Sequence, residues 1–151
     1  TIHRAENTDD PQQLRAVMDW LRDKAEERPI VFPVHPRTKD ALARAGIVPQ
    51  GVAMIDPVGY LDMARLLDGA VAVYTDSGGL QKEAYFHRKP CVTLRSETEW
   101  TELVECGWNR LWTEPNYRPR KDVTDYGDGD AAGRILGDIA RHDVGTARPH
   151  S

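Results

Sequence analysis

The sequence lacks most of the patterns that assign a function at sight. No apolar run approaches the roughly 18 residues that a membrane span needs, and no secretory signal is visible. Only two cysteines occur, Cys91 and Cys106, which is too few for a disulfide framework and fits a reducing cytoplasm. There is no CxxC and no HExxH, and the five histidines are scattered along the chain, so neither a metal site nor a cofactor is expected. The GxGxxG and GxxxxGK[ST] phosphate fingerprints are absent, no Ser-His-Asp set can be assigned, and there is no internal repeat. Aromatic residues make up only 7% of the chain. Its four tryptophans (Trp20, Trp100, Trp108 and Trp112) read as packing residues, because no basic stripe accompanies them as in a base-stacking platform. The net charge of −4 provides no general attraction to nucleic acid or to an anionic membrane. Any anion site must be local.

The pattern that is present is α/β. With 151 residues, 40% of them hydrophobic and 29% charged, the chain is long enough for one domain with a sizeable core. Asp9-Asp10-Pro11 carries helix-start chemistry, and Leu14, Val17, Met18 and Leu21 recur at helical spacing until Pro29. Ile30–Val34 reads as a strand, Pro36–Ala45 as a helix closed by Gly46, Val52–Ile55 as a strand and Tyr60–Asp68 as a helix. The run Ala70–Val73 predicts a buried strand that turns through Asp76-Ser77-Gly78-Gly79 into a helix ending near Arg88. Next come a strand at Cys91–Leu94, a short helix over 101–105, and a strand at Asn109–Trp112. Pro115–Tyr126 reads as a loop and Ala131–Arg141 as a last helix. Thr1-Ile2-His3-Arg4 looks like the end of a strand, which suggests a piece of a longer protein. This alternation predicts a doubly wound, Rossmann-like parallel sheet with helices on both faces and strands buried on both sides. One domain is expected over residues 1–141, with a mobile polar tail over His142–Ser151.

In a parallel sheet all carboxyl ends lie along one edge, where ligands bind. The strands here run in turn into His3-Arg4, His35-Pro36-Arg37, Asp76-Ser77-Gly78-Gly79, and Arg95 to Glu99. A glycine turn at a helix start offers unpaired N–H groups to an anion, and arginines and histidines beside it suit a diphosphate. Each group also has an ordinary reading. Ser77 would serve as an N-cap, His35-Pro36 as a helix start, His3 as a strand-end residue, and Arg95 with Glu99 as a surface ion pair. Glu83, one helical turn after Gly79, either reaches back to the vicinal hydroxyls of a ribose or is a surface residue near His87.

Taken together these residues resemble a known family. Thr1-Ile2-His3-Arg4-Ala5-Glu6-Asn7 is similar to the TxHRxEN motif of the non-hydrolysing UDP-N-acetylglucosamine 2-epimerases. Val34-His35-Pro36-Arg37, the run from Asp76 to Ala84, Arg95-Ser96-Glu97-Thr98-Glu99-Trp100 and the turn Tyr126–Ala131 match in type and order. The resemblance covers residues 1 to about 141 and implies the C-terminal, nucleotide-binding half of a two-domain, glycosyltransferase-B-like protein. It implies UDP or UDP-N-acetylglucosamine as the partner, with no nucleic acid or membrane. Ser77, Gly78 and Gly79 would hold the diphosphate, Glu83 the ribose, and Pro57-Val58-Gly59-Tyr60 the uracil. His35 and Arg37 would line the cleft, His3 would be catalytic, and Arg4, Asp76, Arg95 and Glu99 would give support. The implied reaction interconverts UDP-N-acetylglucosamine and UDP-N-acetylmannosamine by elimination and re-addition of UDP. Its general-base carboxylates belong to the family's N-terminal half, so the fragment alone is expected to be inactive. A cytoplasmic, homodimeric parent serving cell-surface polysaccharide synthesis is expected. Two alternatives stay open: the donor-binding half of a UDP-sugar glycosyltransferase, and a UDP-binding module without catalysis.

Overall fold

Helix starts and strand pairings in this chain arise from local chemistry that can be named residue by residue. The computed structural model describes residues 1–143. In chain order the elements are α1 (Ala5–Thr8), α2 (Pro11–Glu27), β1 (Ile30–Pro33), α3 (Pro36–Arg44), β2 (Val52–Ile55), α4 (Tyr60–Gly69), β3 (Val73–Thr75), α5 (Gly78–Phe86), β4 (Cys91–Thr93), α6 (Thr101–Glu105), β5 (Asn109–Leu111) and α7 (Ala131–Asp143). Asp10 caps α2 by accepting from the Gln12 N–H, with Pro11 in the first turn, and Leu14, Val17, Met18 and Leu21 form its buried face. Helices α3 and α5 start in the same way, on the side chains of His35 and Ser77.

All strand pairs are parallel: β1 with β2, and β3 with β4 with β5, flanked by helices. This is the expected α/β, Rossmann-like class. Thr1 adds one parallel bridge to β3, its backbone N donating to Tyr74 O (2.7 Å) and its O accepting from Asp76 N (3.2 Å). Ile2, fully buried, packs in the same cluster as Phe32 and Val34 and so lies on the β1 side of that bridge. Residues 1–2 thus stand between the two sets of strands.

Two expectations about burial need correction. Of the run that starts at Ala70 and breaks at Asp76, only Val73–Thr75 form β3; Ala70 caps the end of α4, and Val71 is 62% exposed. Nor are all strands buried on both faces. β2 is an edge with a single strand neighbour, and Ala53, Met54 and Ile55 stand exposed. Apolar character reports what a strand is able to bury, whereas the number of covering layers depends on the rest of the fold. Helix α1 is an addition that the sequence did not disclose.

The chain divides into two compact units, Thr1–Lys121 and a second beginning at Asp122. In the second, Asp128 accepts from the Asp130 N–H (3.1 Å) and pairs with Arg134 (2.5 Å) before α7. The tail expected from His142 has its first two residues within α7 and otherwise lies outside the described residues. No helix among the described residues is long and apolar enough to cross a membrane.

Both cysteines are thiols. Burial pushes the Cys91 thiol in β4 up to about 12, so almost no thiolate exists at neutral pH. Alkylation of the native chain at pH 8 should therefore modify Cys106 and spare Cys91, with mass spectrometry of the peptides as the check. Labelling of both at equal rates would contradict the packing of β4.

Candidate functional site

The carboxyl ends of the strands gather most of the residues singled out above, and the organising group is Asp76. Its carboxylate is fully buried, one residue beyond β3. It accepts from the His3 N–H (3.1 and 3.0 Å), the Arg4 N–H (2.9 Å) and the Asn7 amide (3.0 Å). Asn7 also donates to Leu94 O at the end of β4 (2.8 Å). Four residues of α1 are too few to be stable alone. They are helical here because Asp76 holds the N–H groups at their start and Asn7 ties their far side to β4.

This clamp fixes His3. Its Nδ1 lies 3.4 Å from Asp76 Oδ1, and its ring centroid is 5.7 Å from that of His35. Desolvation holds its pKa below the ordinary value of 6.5; Asp76 opposes the shift and His35 adds to it. His3 is therefore a neutral imidazole near pH 7, with Nδ1 facing Asp76. His35 Nδ1 accepts from the Arg37 N–H (3.2 Å) at the start of α3. Arg37 itself is turned toward α1. Its Nε donates to Thr8 Oγ1 (2.8 Å) and its Nη2 to both oxygens of Asp9 (2.7 and 2.9 Å).

At α5 the Ser77 side chain accepts from the Leu80 N–H (3.4 Å), and the Gln81 N–H reaches Ser77 O. The cap reading is thus correct. It does not compete with the anion reading, since the N–H groups of Gly78 and Gly79 have no partner within the helix. A Cβ built on Gly79 would meet only Ser77 Oγ, at 4.0 Å. One on Gly78 would overlap Glu99 Oε1 and stand 3.3 Å from Arg4 Nη2. A side chain at 78 would therefore have to displace the Glu99 carboxylate that stands over it. Arg95 Nη1 pairs with Glu99 Oε2 (2.6 Å), and Arg4 Nη2 lies 3.4 Å from Glu99 Oε1. Glu83 is half-buried on α5, its O accepting from the His87 N–H (2.9 Å), while the His87 ring pairs with Asp68 (2.6 Å).

His3, Arg4, His35, Asp76, Ser77, Gly78, Gly79, Arg95 and Glu99 are thus brought to one rim, whereas the Arg37 side chain turns away to Thr8 and Asp9. Sequence reasoning missed three supporting residues. Gln81 is fully buried, and its Oε1 accepts from Thr93 (3.0 Å), Thr98 (2.8 Å) and Asn109 (3.3 Å), joining α5 to β4, β5 and the 95–100 turn. Trp100 Nε1 donates to Gly78 O (2.8 Å), with Lys82 Nζ 3.6 Å above its ring. Glu6 accepts from the Ser96 N–H and hydroxyl (3.4 and 3.1 Å). A glutamine inside a helical pattern carries no signal of such partners. The other tryptophans pack: Trp20 edge-on to Tyr74, Trp108 edge-on to Tyr85, and Trp112 against the α2 core.

The same rim can be set beside known proteins. A family model described as UDP-N-acetylglucosamine 2-epimerase matches residues 1–140. A UDP-2,3-diacetamido-2,3-dideoxy-D-glucuronate 2-epimerase of Pseudomonas aeruginosa is 53% identical over 112 residues, 74% of this chain and 31% of that protein. A UDP-N-acetylglucosamine 2-epimerase homolog of Methanococcus maripaludis is 47% identical over 116 residues, 74% of this chain and 32% of that protein. The UDP-GlcNAc 2-epimerase of Methanocaldococcus jannaschii superposes with a TM-score of 0.78 at 31% identity, over 93% of this chain and 44% of that one. Its crystal structure in complex with UDP-GlcNAc and UDP superposes with a TM-score of 0.74 at 30% identity, over the same shares. The chain spans about a third of the length of these curated relatives.

Proposed function

Because the chain belongs to the UDP-N-acetylglucosamine 2-epimerase family, we propose that residues 1–141 are the UDP-binding half of a two-domain UDP-sugar 2-epimerase. One observation carries this reading: the His3 ring lies against the buried carboxylate of Asp76, the residue just before the Ser77 cap of α5. In this reading the ring is the acid and the helix start is the cradle for the leaving diphosphate.

In this reading the N–H groups of Gly78 and Gly79 and the Ser77 hydroxyl hold the diphosphate, and Glu83 accepts from the ribose hydroxyls. The uracil lies against Pro57–Tyr60, with His35 and Arg37 lining the cleft. The parent interconverts UDP-N-acetylglucosamine and UDP-N-acetylmannosamine. The bond from the anomeric carbon to UDP breaks as a proton leaves C2, giving the 2-acetamidoglucal and UDP. UDP then re-adds with protonation on the opposite face. Negative charge grows on the leaving phosphate, where preorganised donors lower the barrier. His3 donates there through Nε2 while Asp76 steadies the imidazolium. Carboxylates that move the C2 proton are supplied by the parent's other half, and the parent works as a cytoplasmic homodimer.

A phosphate dianion next to His3 raises its pKa, so binding takes up a proton. The sign follows from the depressed value in the free chain: His3 is neutral above pH 6.5 and charges on complex formation. UDP affinity should therefore tighten by less than about tenfold as pH falls from 8 to 6.5, stopping above the phosphate's own titration near pH 6. His3→Asn should flatten the dependence. Calorimetry in two buffers of different ionisation enthalpy reads the proton uptake.

A second reading concerns only the sugar. The 53% identical relative is named for a diacetamido-glucuronate nucleotide rather than for UDP-N-acetylglucosamine. Assay of the parent on both sugars decides between them: preferential turnover of the uronate would assign the acidic substrate, and preferential turnover of UDP-N-acetylglucosamine the neutral one.

A further inference from the structure

The α5 start is not bare. The 95–100 turn is docked on the first turn of α5 by Trp100 to Gly78 O (2.8 Å) and Thr98 to Gln81 (2.8 Å), and this docking sets Glu99 over Gly78. The Glu99 carboxylate stands where a Cβ on Gly78 would be, held by Arg95 (2.6 Å) and by Arg4 (3.4 Å). A carboxylate bracketed by two guanidinium groups at a helix N-terminus has the environment of a bound phosphate. The two partners are unequally placed. The Glu99 side chain is 41% exposed and has room to swing outward. The Arg95 side chain is only 10% exposed, and its buried Nε makes no hydrogen bond, lying at 3.5 Å from Glu6 Oε2. The cation is the buried partner, and the anion is the more exposed one.

We propose that Glu99 is an intramolecular stand-in for the diphosphate, which it must vacate when the ligand binds, releasing Arg4 and Arg95 to the ligand. This rests on the reading of the rim as a UDP site. Arg4 and Arg95 cannot pair with Glu99 and with a diphosphate seated at Gly78 at the same time, so ligand and Glu99 compete. A site free for about a tenth of the time shows a tenfold weaker apparent affinity than its intrinsic one. The device keeps the rim ordered when empty, and it selects for ligands with more negative charge than one carboxylate.

Two measurements on the 151-residue chain test it, with Glu97→Gln as the control for loss of a neighbouring exposed charge. In the ligand-free state at neutral pH, Glu99→Gln should shift the Gly78 and Gly79 amide resonances and Glu97→Gln should not. UDP titration should give about tenfold tighter binding to Glu99→Gln than to the native chain, with Glu97→Gln within about twofold of it. Unmoved glycine amides overturn the proposal by themselves, as does UDP affinity in Glu99→Gln that is equal to or weaker than native. Absence of UDP binding in every variant would defeat the UDP reading and the competition with it, while the ligand-free spectra still decide whether Glu99 occupies the helix start.

Discussion

Replacing Asp76 with alanine should lower the melting temperature of the chain by on the order of 10 °C. Three buried or half-buried donors converge on this carboxylate, from His3 N, Arg4 N and the Asn7 amide, and the residue is fully enclosed. Each donor left without an acceptor costs about 1–3 kcal/mol, so the set costs on the order of 3–5 kcal/mol. A chain of this size loses about 2–4 °C per kcal/mol. Asp76→Asn keeps the shape but turns an N–H₂ group toward other donors, so its loss should be intermediate. Thermal unfolding followed by circular dichroism is the check. A shift of less than about 2 °C for Asp76→Ala would show that the 3–8 segment is not organised by this residue.

The second large effect is on turnover. In the full-length parent, His3→Ala should depress kcat by about 10²–10⁴-fold, the usual worth of a positioned general acid. At pH 8, where His3 is neutral in the free chain, UDP affinity should weaken by no more than about threefold. The separation follows from the proposed roles: α5 would hold the diphosphate, whereas His3 would contribute chiefly as charge develops on the leaving oxygen. Steady-state kinetics paired with UDP calorimetry gives both numbers. Unchanged turnover would remove His3 from the mechanism, and an equal loss in both would make it a binding residue.

Much of the fold was legible in the sequence, because the governing signals are local. The stop at Pro29, the start at Asp10-Pro11 and the runs of β1, β2 and β4 all appear in the structure near the expected bounds. The parallel pairing followed from the alternation of elements. The features that stayed hidden depend on partners far along the chain. α1 has no periodicity to read, and it forms because Asp76, some seventy positions later, holds its first turn. Gln81 reads as an ordinary helix residue until Thr93, Thr98 and Asn109 arrive from β4, the 95–100 turn and β5. Val71 and Met54 are as apolar as Val73, yet stand exposed because no layer covers them. The strand-end rule brought His3, Arg4, His35, Arg95 and the two glycines to one edge. It held no hint that Arg37 is occupied by Asp9, or that Glu99 leans over Gly78.

Everything proposed for the rim depends on the Ser77-Gly78-Gly79 start of α5 binding the diphosphate of UDP. Titration of UDP into the 151-residue chain, followed by calorimetry and by the amide resonances of Gly78 and Gly79, tests this most directly. The expected result is saturable binding with a Kd on the order of 0.1–1 mM, about −4 to −5.5 kcal/mol, with the largest shifts at those two glycines. A flat calorimetric trace at millimolar UDP, with both glycine amides unmoved, would contradict it.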